Sequence, residues 1–383
     1  MVAHSVNPYC PASWIYHQIT FLKRYRPIVL TKRKTNVDQF PIQPLYAQYD
    51  LPLWRRGWEK IVRQWLGYFP QYRRALTENN AALLHSHYAQ YGMADWRLAR
   101  ELKIPHLTMF YGADIWLDSR RPGWLPRFRE FVSASQLFLV EGNAMRNKVL
   151  ELGAPPEKVK VFHLGLDLSK IDYSPRRVGV DGEIRILMTG RCLEKKGHRF
   201  GLRAFAKLAS RYPQVHLDMI VGGDFAGAGG LEAELRAYIR DQALEKRITW
   251  SALLPYAEYL RRIRSAHIFL QPSVMAADGD AEGGFPVTIV EMAASGTPIV
   301  ATRHCDIPEA VLDSKSGLLV PERDVDGLAE KLEFLIQRPE LWESYGRAGR
   351  QHVESNYNIL HQAALLEGHY DELLASSNQR PRG

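Results

Sequence analysis

The sequence predicts an α/β protein with two Rossmann-like domains, and three observations carry that expectation. Short β-rich runs alternate with segments of helical period through residues 183–301. Glycine- or proline-marked turns separate them, the pattern of a parallel sheet wrapped on both faces. A length of 383 residues suits two domains, each able to bury its own core.

In the first half, residues 28–30, 82–84, 106–110 and 137–140 read as short strands, each near a helical pattern. Residues 172–182, with Ser174-Pro, Arg176-Arg and Asp181-Gly, read as a surface linker. The second half is more regular. A strand over 183–189 leads into the turn 190–197 and a helix with Phe200, Ala204, Phe205 and Leu208 on one face. A strand over 215–221 precedes a Gly-rich turn at 222–230 and a helix marked by Leu231, Leu235, Tyr238 and Ile239. Further strands are expected at 247–250, 267–270 and 298–301, and helices on Tyr256, Tyr259, Leu260 and Ile263 and over 288–294. Gly296 closes the latter and Pro298 follows it. A last helix carries Ile359, Ala363, Leu366, Tyr370 and Leu373, and residues 376–383 read as a frayed tail. The expected domains are 1–175 and 183–357, with a terminal helix over 358–375 that packs on the first.

Composition narrows the function. With 46% hydrophobic and 24% charged residues the chain reads as a globular protein, and no run is long enough for a spanning helix. The first residues lack the pattern of a secretory signal. Cys10, Cys192 and Cys305 are too few and too scattered for a disulfide framework or a metal spacing, so a reducing cytoplasm is expected. The net charge of +8 is uneven: residues 1–180 hold 26 Lys+Arg against 14 Asp+Glu, and residues 181–383 hold 24 against 28. Seven of the nine tryptophans lie in the basic half, which directs attention there for an anionic partner.

Two segments carry chemistry. In Met188-Thr-Gly-Arg-Cys-Leu-Glu-Lys-Lys-Gly-His198 a strand ends, glycine turns the chain, and a helix begins. Gly190, Arg191, Lys196 and Gly197 then sit at the C-terminal edge of a parallel sheet, where such sheets bind ligands. Arg191 as a fork and Lys196 as a point charge suit a diphosphate; exposed turn charges are the plain alternative. The second segment runs from Pro272 to Pro298. Glu282 lies in an acidic loop, Gly283 and Gly284 let the backbone approach a ligand, and Phe285 and Pro286 lead into a helix. Free N–H groups near Val287 and Thr288 suit a phosphate, and Glu291, a turn into the helix, suits ribose hydroxyls. Both glutamates could equally be dipole-favoured charges. Asp278, Asp280 and Glu282 lack a local partner to complete a metal site, so no metal is expected.

These segments resemble the donor-binding half of the retaining family 4 glycosyltransferases, which have the two-domain GT-B fold. The shared pattern is Gly190-Arg191…Lys196-Gly197, Pro272-Ser273, Glu282…Glu291 and Ala294-Ser-Gly-Thr-Pro-Ile299. Asp306-Ile-Pro-Glu309, Ser316-Gly-Leu-Leu-Val-Pro321 and His163-Leu-Gly-Leu-Asp167 extend it, and the similarity spans about residues 80–375. The subgroup it is most similar to is the exopolysaccharide, colanic-acid-like one. Two departures stand out. Glu282 and Glu291 are nine apart where the family has eight, and Tyr111 stands in Phe110-Tyr-Gly-Ala-Asp114 where many relatives have histidine. His85-Ser-His87 is similar to the family's His-x-His/Phe segment, and as a metal pair it lacks a third partner.

The resemblance implies a metal-independent enzyme that moves a sugar from a UDP- or GDP-sugar to a glycan or lipid-linked acceptor, with retention. It implies donor binding by Gly190, Arg191, Lys196, Gly197, Gly283, Gly284, Phe285, Pro286, Val287, Thr288 and Glu291, with base contacts near Leu254. Glu282, Tyr111, Asp114 and His87 become the candidates for catalysis. A cytoplasmic site, at the inner face of the membrane, is expected.

One basic-half feature stands apart. Trp54, Trp58, Ile61 and Trp65 share a helical face, with Arg55, Arg56, Lys60 and Arg63 between them. That face is either core or the contact with an anionic membrane. The basic residues are too dispersed for a nucleic-acid module, so a basic nucleic-acid-binding protein or a silent sugar-nucleotide-binding module ranks second.

Overall fold

Strand runs that are apolar at nearly every position, such as Leu137-Phe-Leu-Val140, suit a sheet covered on both faces. The computed structural model describes residues 1–7, 13–223 and 228–378. Cys10, residues 224–227 of the 222–230 turn and the end of the 376–383 tail lie outside the described residues. The chain divides into two units, Met1–Asp167 with Asn358–Gly383, and Leu168–Tyr357.

Among the described residues the first unit holds seven parallel strands: β1 (Val2–Ser5), β2 (Pro27–Thr31), β3 (Leu45–Ala47), β4 (Leu83–His87), β5 (His106–Met109), β6 (Leu137–Val140) and β7 (Val159–Val161). Their order is β3-β2-β1-β4-β5-β6-β7. The order reverses between β1 and β4, which makes the ends of those strands the natural ligand crevice of this sheet. The final helix, Ile359–Asn378, belongs to this unit. Asn358 bridges to Leu166, and a Cβ on Gly165 would come within 2.7 Å of Ile359 Cα, so only glycine lets the helix start there. Glu367 anchors the helix by accepting the N–H groups of Lys23 and Arg24 at 2.6 Å and pairing with the Arg24 guanidinium at 3.1 Å.

Among the described residues the second unit holds six parallel strands: β8 (Ile184–Arg191), β9 (Val215–Gly222), β10 (Ile248–Ser251), β11 (Ile268–Gln271), β12 (Ile299–Thr302) and β13 (Gly317–Val320). Their order, β10-β9-β8-β11-β12-β13, reverses between β8 and β11. The helix His198–Ala209 buries Leu202, Phe205 and Leu208 against the sheet, with Met188, Leu217 and Leu270 in the same core.

The sequence pattern misses β1, β3, β7 and β13, each three or four residues long. It also ends β4 too early: His85 and His87 lie inside that strand rather than after it. The expected linker 172–182 is only partly one. Arg176 is buried within the second unit and donates to Ser295 Oγ, Thr297 Oγ1 and the Ile263 carbonyl at 2.9–3.2 Å, which leaves residues 177–181 exposed. The tryptophan-bearing helix spans Leu53–Leu66, and its aromatic face is exposed.

Candidate active site

In the second unit the ends of β8 and β11 bring together the two segments singled out from sequence. Gly190 and Arg191 finish β8, with Arg191 exposed. A short 3-10 turn, Glu194–Lys196, then delivers Lys196. Gly197, at φ +68°, heads the next helix. A Cβ there would lie 1.7 Å from the Pro272 carbonyl oxygen, so glycine is what allows the two loops to touch.

That contact is extended by side chains. Lys196 Nζ donates to Glu282 Oε2 at 2.7 Å, and the Ser273 hydroxyl donates to Glu282 Oε1 at 2.8 Å. Lys195 pairs in parallel with Asp280 at 3.0 Å, and the Val274 N–H donates to the Lys195 carbonyl. Burial would lift the Glu282 pKa, but Lys196 and Lys195 outweigh it and hold the carboxyl below its usual range. At Lys196 burial wins over the attraction of Glu282 and lowers the ammonium pKa. The pair is a buried cation and anion at the sheet edge, each the other's main compensation.

Gly283, at φ +88°, carries the chain past Glu282, and the Gly284 carbonyl accepts from the Asp306 N–H at 3.1 Å. Phe285 packs edge-on against Tyr357 at 5.1 Å. Pro286 caps the helix Val287–Ser295, whose first N–H groups, on Val287 and Thr288, have no acceptor within the helix. Glu291 is buried in that helix and accepts from the Tyr259 hydroxyl at 2.7 Å. Burial raises its pKa to about 7, against the lowering effect of the Tyr259 bond. Leu254 lies, half-buried, in the loop after β10, beside the more exposed Leu253.

The first unit gathers a second group where its strand order reverses. His87 Nδ1 is 2.5 Å from the Tyr111 hydroxyl, which also reaches Gln18 Oε1 at 3.4 Å. Asp114 is buried and accepts three main-chain N–H bonds, from Ala89, Tyr111 and Gly112, at 2.8–3.1 Å. Its carboxylate therefore shapes the turn that carries Tyr111. Burial still lifts its pKa to about 6.

Sequence reasoning missed several members. His4 on β1 is in register with His85 on β4, and its Nδ1 lies 3.1 Å from His87 Nε2. His85 Nδ1 bonds the Tyr370 hydroxyl at 2.8 Å. His4, His85 and His87 are, among the described residues, a group whose ligand-capable atoms lie within 4.8 Å of one another. The alternation of His85-Ser-His87 signals two histidines on one strand face; the third needs the β1–β4 pairing. His304, which receives the Glu282 N–H at 3.2 Å and meets Glu322 at 2.6 Å, and Tyr259 carried no motif at all.

The histidines give a pH prediction. Burial pushes His4 and His106 down to about 3, and His85 and His87 well below 6.5, so all four stay neutral when folded. The unfolded chain protonates them below about pH 6.5, and each then costs about 1.4 kcal/mol per pH unit down to its folded value. Asp95 and Asp114, both raised to about 6, act in the opposite sense: their burial penalty applies above pH 6 and is relieved below it. Glu291, raised to about 7, acts with the aspartates, and His198 and His267, lowered to about 4 by burial, act with the other histidines. The histidines still outnumber the acids, so the urea midpoint followed by fluorescence should fall between pH 7 and pH 5. A rising midpoint would contradict neutral burial of the cluster.

Comparison with known proteins gives first the class. The structure of Anabaena HepE with UDP and glucose superposes with a TM-score of 0.78 at 16% identity, over 97% of this chain and 99% of that one. Sucrose-phosphate synthase from Thermosynechococcus elongatus gives 0.74 at 16%, over 98% and 99%. The fold is that of the GT-B glycosyltransferases.

The family follows from sequence. The model for glycosyl transferases group 1 matches residues 172–352, and that for Glycosyltransferase Family 4 matches residues 20–170. The putative colanic acid biosynthesis glycosyltransferase WcaL of Escherichia coli is 31% identical over 288 residues, 74% of this chain and 68% of that protein. The amylovoran biosynthesis glycosyltransferase AmsK of Erwinia amylovora is 34% identical over 269 residues, 68% of this chain and 62% of that protein. The chain belongs to the family 4 glycosyltransferases, of the exopolysaccharide type. No helix among the described residues is long and apolar enough to cross a membrane.

Proposed function

We propose that the protein transfers a sugar from a nucleotide-sugar, such as a UDP- or GDP-sugar, to a hydroxyl of a growing polysaccharide or glycolipid, with retention at the anomeric carbon. The observation that carries this reading is the meeting of Lys196, Glu282 and the head of helix Val287–Ser295 where the strand order of the second unit reverses. That edge offers a cation and free N–H groups to a diphosphate and a carboxylate to sugar hydroxyls.

In this mechanism the donor binds the second unit. Glu291 accepts from the ribose hydroxyls, and backbone near Leu254 meets the base. The bond between the anomeric carbon and the diphosphate oxygen breaks as Lys196, Arg191 and the N–H groups of Val287 and Thr288 take up the leaving charge. Protein groups thus do what a metal ion does in other folds. The acceptor oxygen bonds to the oxocarbenium-like carbon on the face the leaving group occupied, and its O–H proton passes to the departing diphosphate oxygen beside it. Glu282, held by Ser273 and Lys196, lies beside the sugar hydroxyls. Acceptor binding falls to the first unit, where His87 and Tyr111 form the polar pair and Asp114 is a positioning residue.

A thermal-shift panel of UDP, GDP and ADP tests the donor reading. One nucleotide, at a hundredfold above its dissociation constant, should raise the melting temperature by about 3 °C or more. No shift with any of the three would overturn it. A hydrolysis screen across sugars of the responding nucleotide then names the donor.

A further inference from the structure

The helix Leu53–Leu66 is amphipathic with its faces reversed. Leu53, Trp54, Trp58, Ile61 and Trp65 form its exposed side, at 78%, 74%, 51%, 61% and 86% exposure. Its one carboxylate, Glu59, is fully buried beneath it, where burial raises its pKa. Arg56 and Arg63 share the inward side with Glu59 and are half-buried: Arg56 stacks on Tyr49 with 5.1 Å to the ring centre and Arg63 on Phe69 with 4.6 Å. Lys60 is exposed and Arg55 half-buried, one to each side of the stripe. A soluble helix normally does the opposite, turning its apolar stripe to the core. Scattered single exposed hydrophobics need no explanation, but a continuous stripe with three indoles does.

We propose that this helix docks the first unit onto an anionic lipid surface, lying in the plane of the headgroups. Three features select that occupant. Indole rings favour the membrane–water boundary, where the ring meets acyl chains and the N–H meets polar headgroups. Arg55 and Lys60 flank the stripe and the helix's only carboxylate is buried, so the outward side carries positive charge alone, which complements anionic headgroups. The same charges argue against a second copy of the chain, because a two-fold interface sets this face against itself and brings like charges together. Docking this way would hold the unit assigned to the acceptor at a surface where a lipid-linked acceptor resides. The docking itself rests on the helix alone and does not depend on the donor reading.

The test is co-sedimentation of the full chain with vesicles of neutral phosphatidylcholine and with vesicles containing 30% phosphatidylglycerol. Wild type should bind the anionic vesicles, with a blue shift of tryptophan emission, at least tenfold more tightly than the neutral ones, and 0.5 M salt should weaken binding. The variant Trp54→Ser/Trp58→Ser/Trp65→Ser, changed only at exposed positions, should bind at least tenfold more weakly while its nucleotide-induced thermal shift is unchanged. Equal binding of wild type and variant, or no binding to anionic vesicles, would overturn the proposal. So would a dimer in sedimentation velocity that the triple variant dissociates, since the face would then belong to a second copy. Loss of the thermal shift in wild type would count against the donor site and leave the vesicle result standing.

Discussion

Replacing Lys196 with methionine is expected to cut turnover by about 100- to 1,000-fold, the range for deleting one group that stabilises charge on a leaving oxyanion. The ion pair complicates the experiment in a useful way. Lys196 and Glu282 are both largely buried, with side chains 12% and 5% exposed, and lie 2.7 Å apart. Removing the cation leaves the Glu282 carboxylate with only Lys195 and the Ser273 hydroxyl to balance it. Breaking a buried pair on one side costs about 3–5 kcal/mol, whereas neutralising both partners is far milder. The single variant should therefore lose stability as well as activity. The double variant Lys196→Met/Glu282→Gln should regain most of the urea midpoint and none of the turnover. Recovered turnover in the double variant would mean that Lys196 serves only to hold Glu282, and the diphosphate role would be lost.

How far the sequence revealed this site follows from distance along the chain. Residues 190–197 and 282–291 are two short segments, and each carries its chemistry in its own spacing, so both could be read without the fold. Their pairing could not: the Lys196–Glu282 contact exists because β8 and β11 are neighbours, and the spacing gives no hint of it. The same holds for His4, which meets His85 only through the β1–β4 register. Length alone does not explain the missed strands, because Leu137-Phe-Leu-Val140 is no longer and is legible; β1 (Val-Ala-His-Ser), β3 (Leu-Tyr-Ala) and β7 (Val-Lys-Val) lack its unbroken run of large apolar residues. The tryptophan stripe marks another boundary. Periodicity defines two faces of a helix and is silent on which one the rest of the chain covers; here the covered face is the one with Glu59, Arg56 and Arg63, the reverse of what hydropathy favours.

Glu291 should make nucleotide affinity depend on pH near neutrality. Its carboxyl, 8% exposed and raised to about 7 by burial, is about one-tenth ionised at pH 6 and about nine-tenths at pH 8. Two ribose hydroxyls are donors and bind the carboxylate form, so the apparent dissociation constant for UDP falls as the competent fraction grows, by about tenfold over that range. The direction follows from linkage: a ligand that prefers the ionised form lowers the group's pKa and releases protons on binding at pH 7. Titration calorimetry in two buffers of different ionisation heat should detect that release. The second ionisation of a phosphate, near 6, overlaps this window, so the decisive comparison is with Glu291→Gln, which keeps the shape and cannot titrate. Its affinity should be weaker by about 10- to 100-fold at pH 8, the worth of hydrogen bonds to a charged acceptor, and flatter with pH. Tyr259→Phe supplies the opposite check. The Tyr259 hydroxyl favours the carboxylate, so its loss should move the midpoint of the profile above 7 without abolishing it. A wild-type profile that matches Glu291→Gln across pH 6–8 would remove Glu291 from the ribose site.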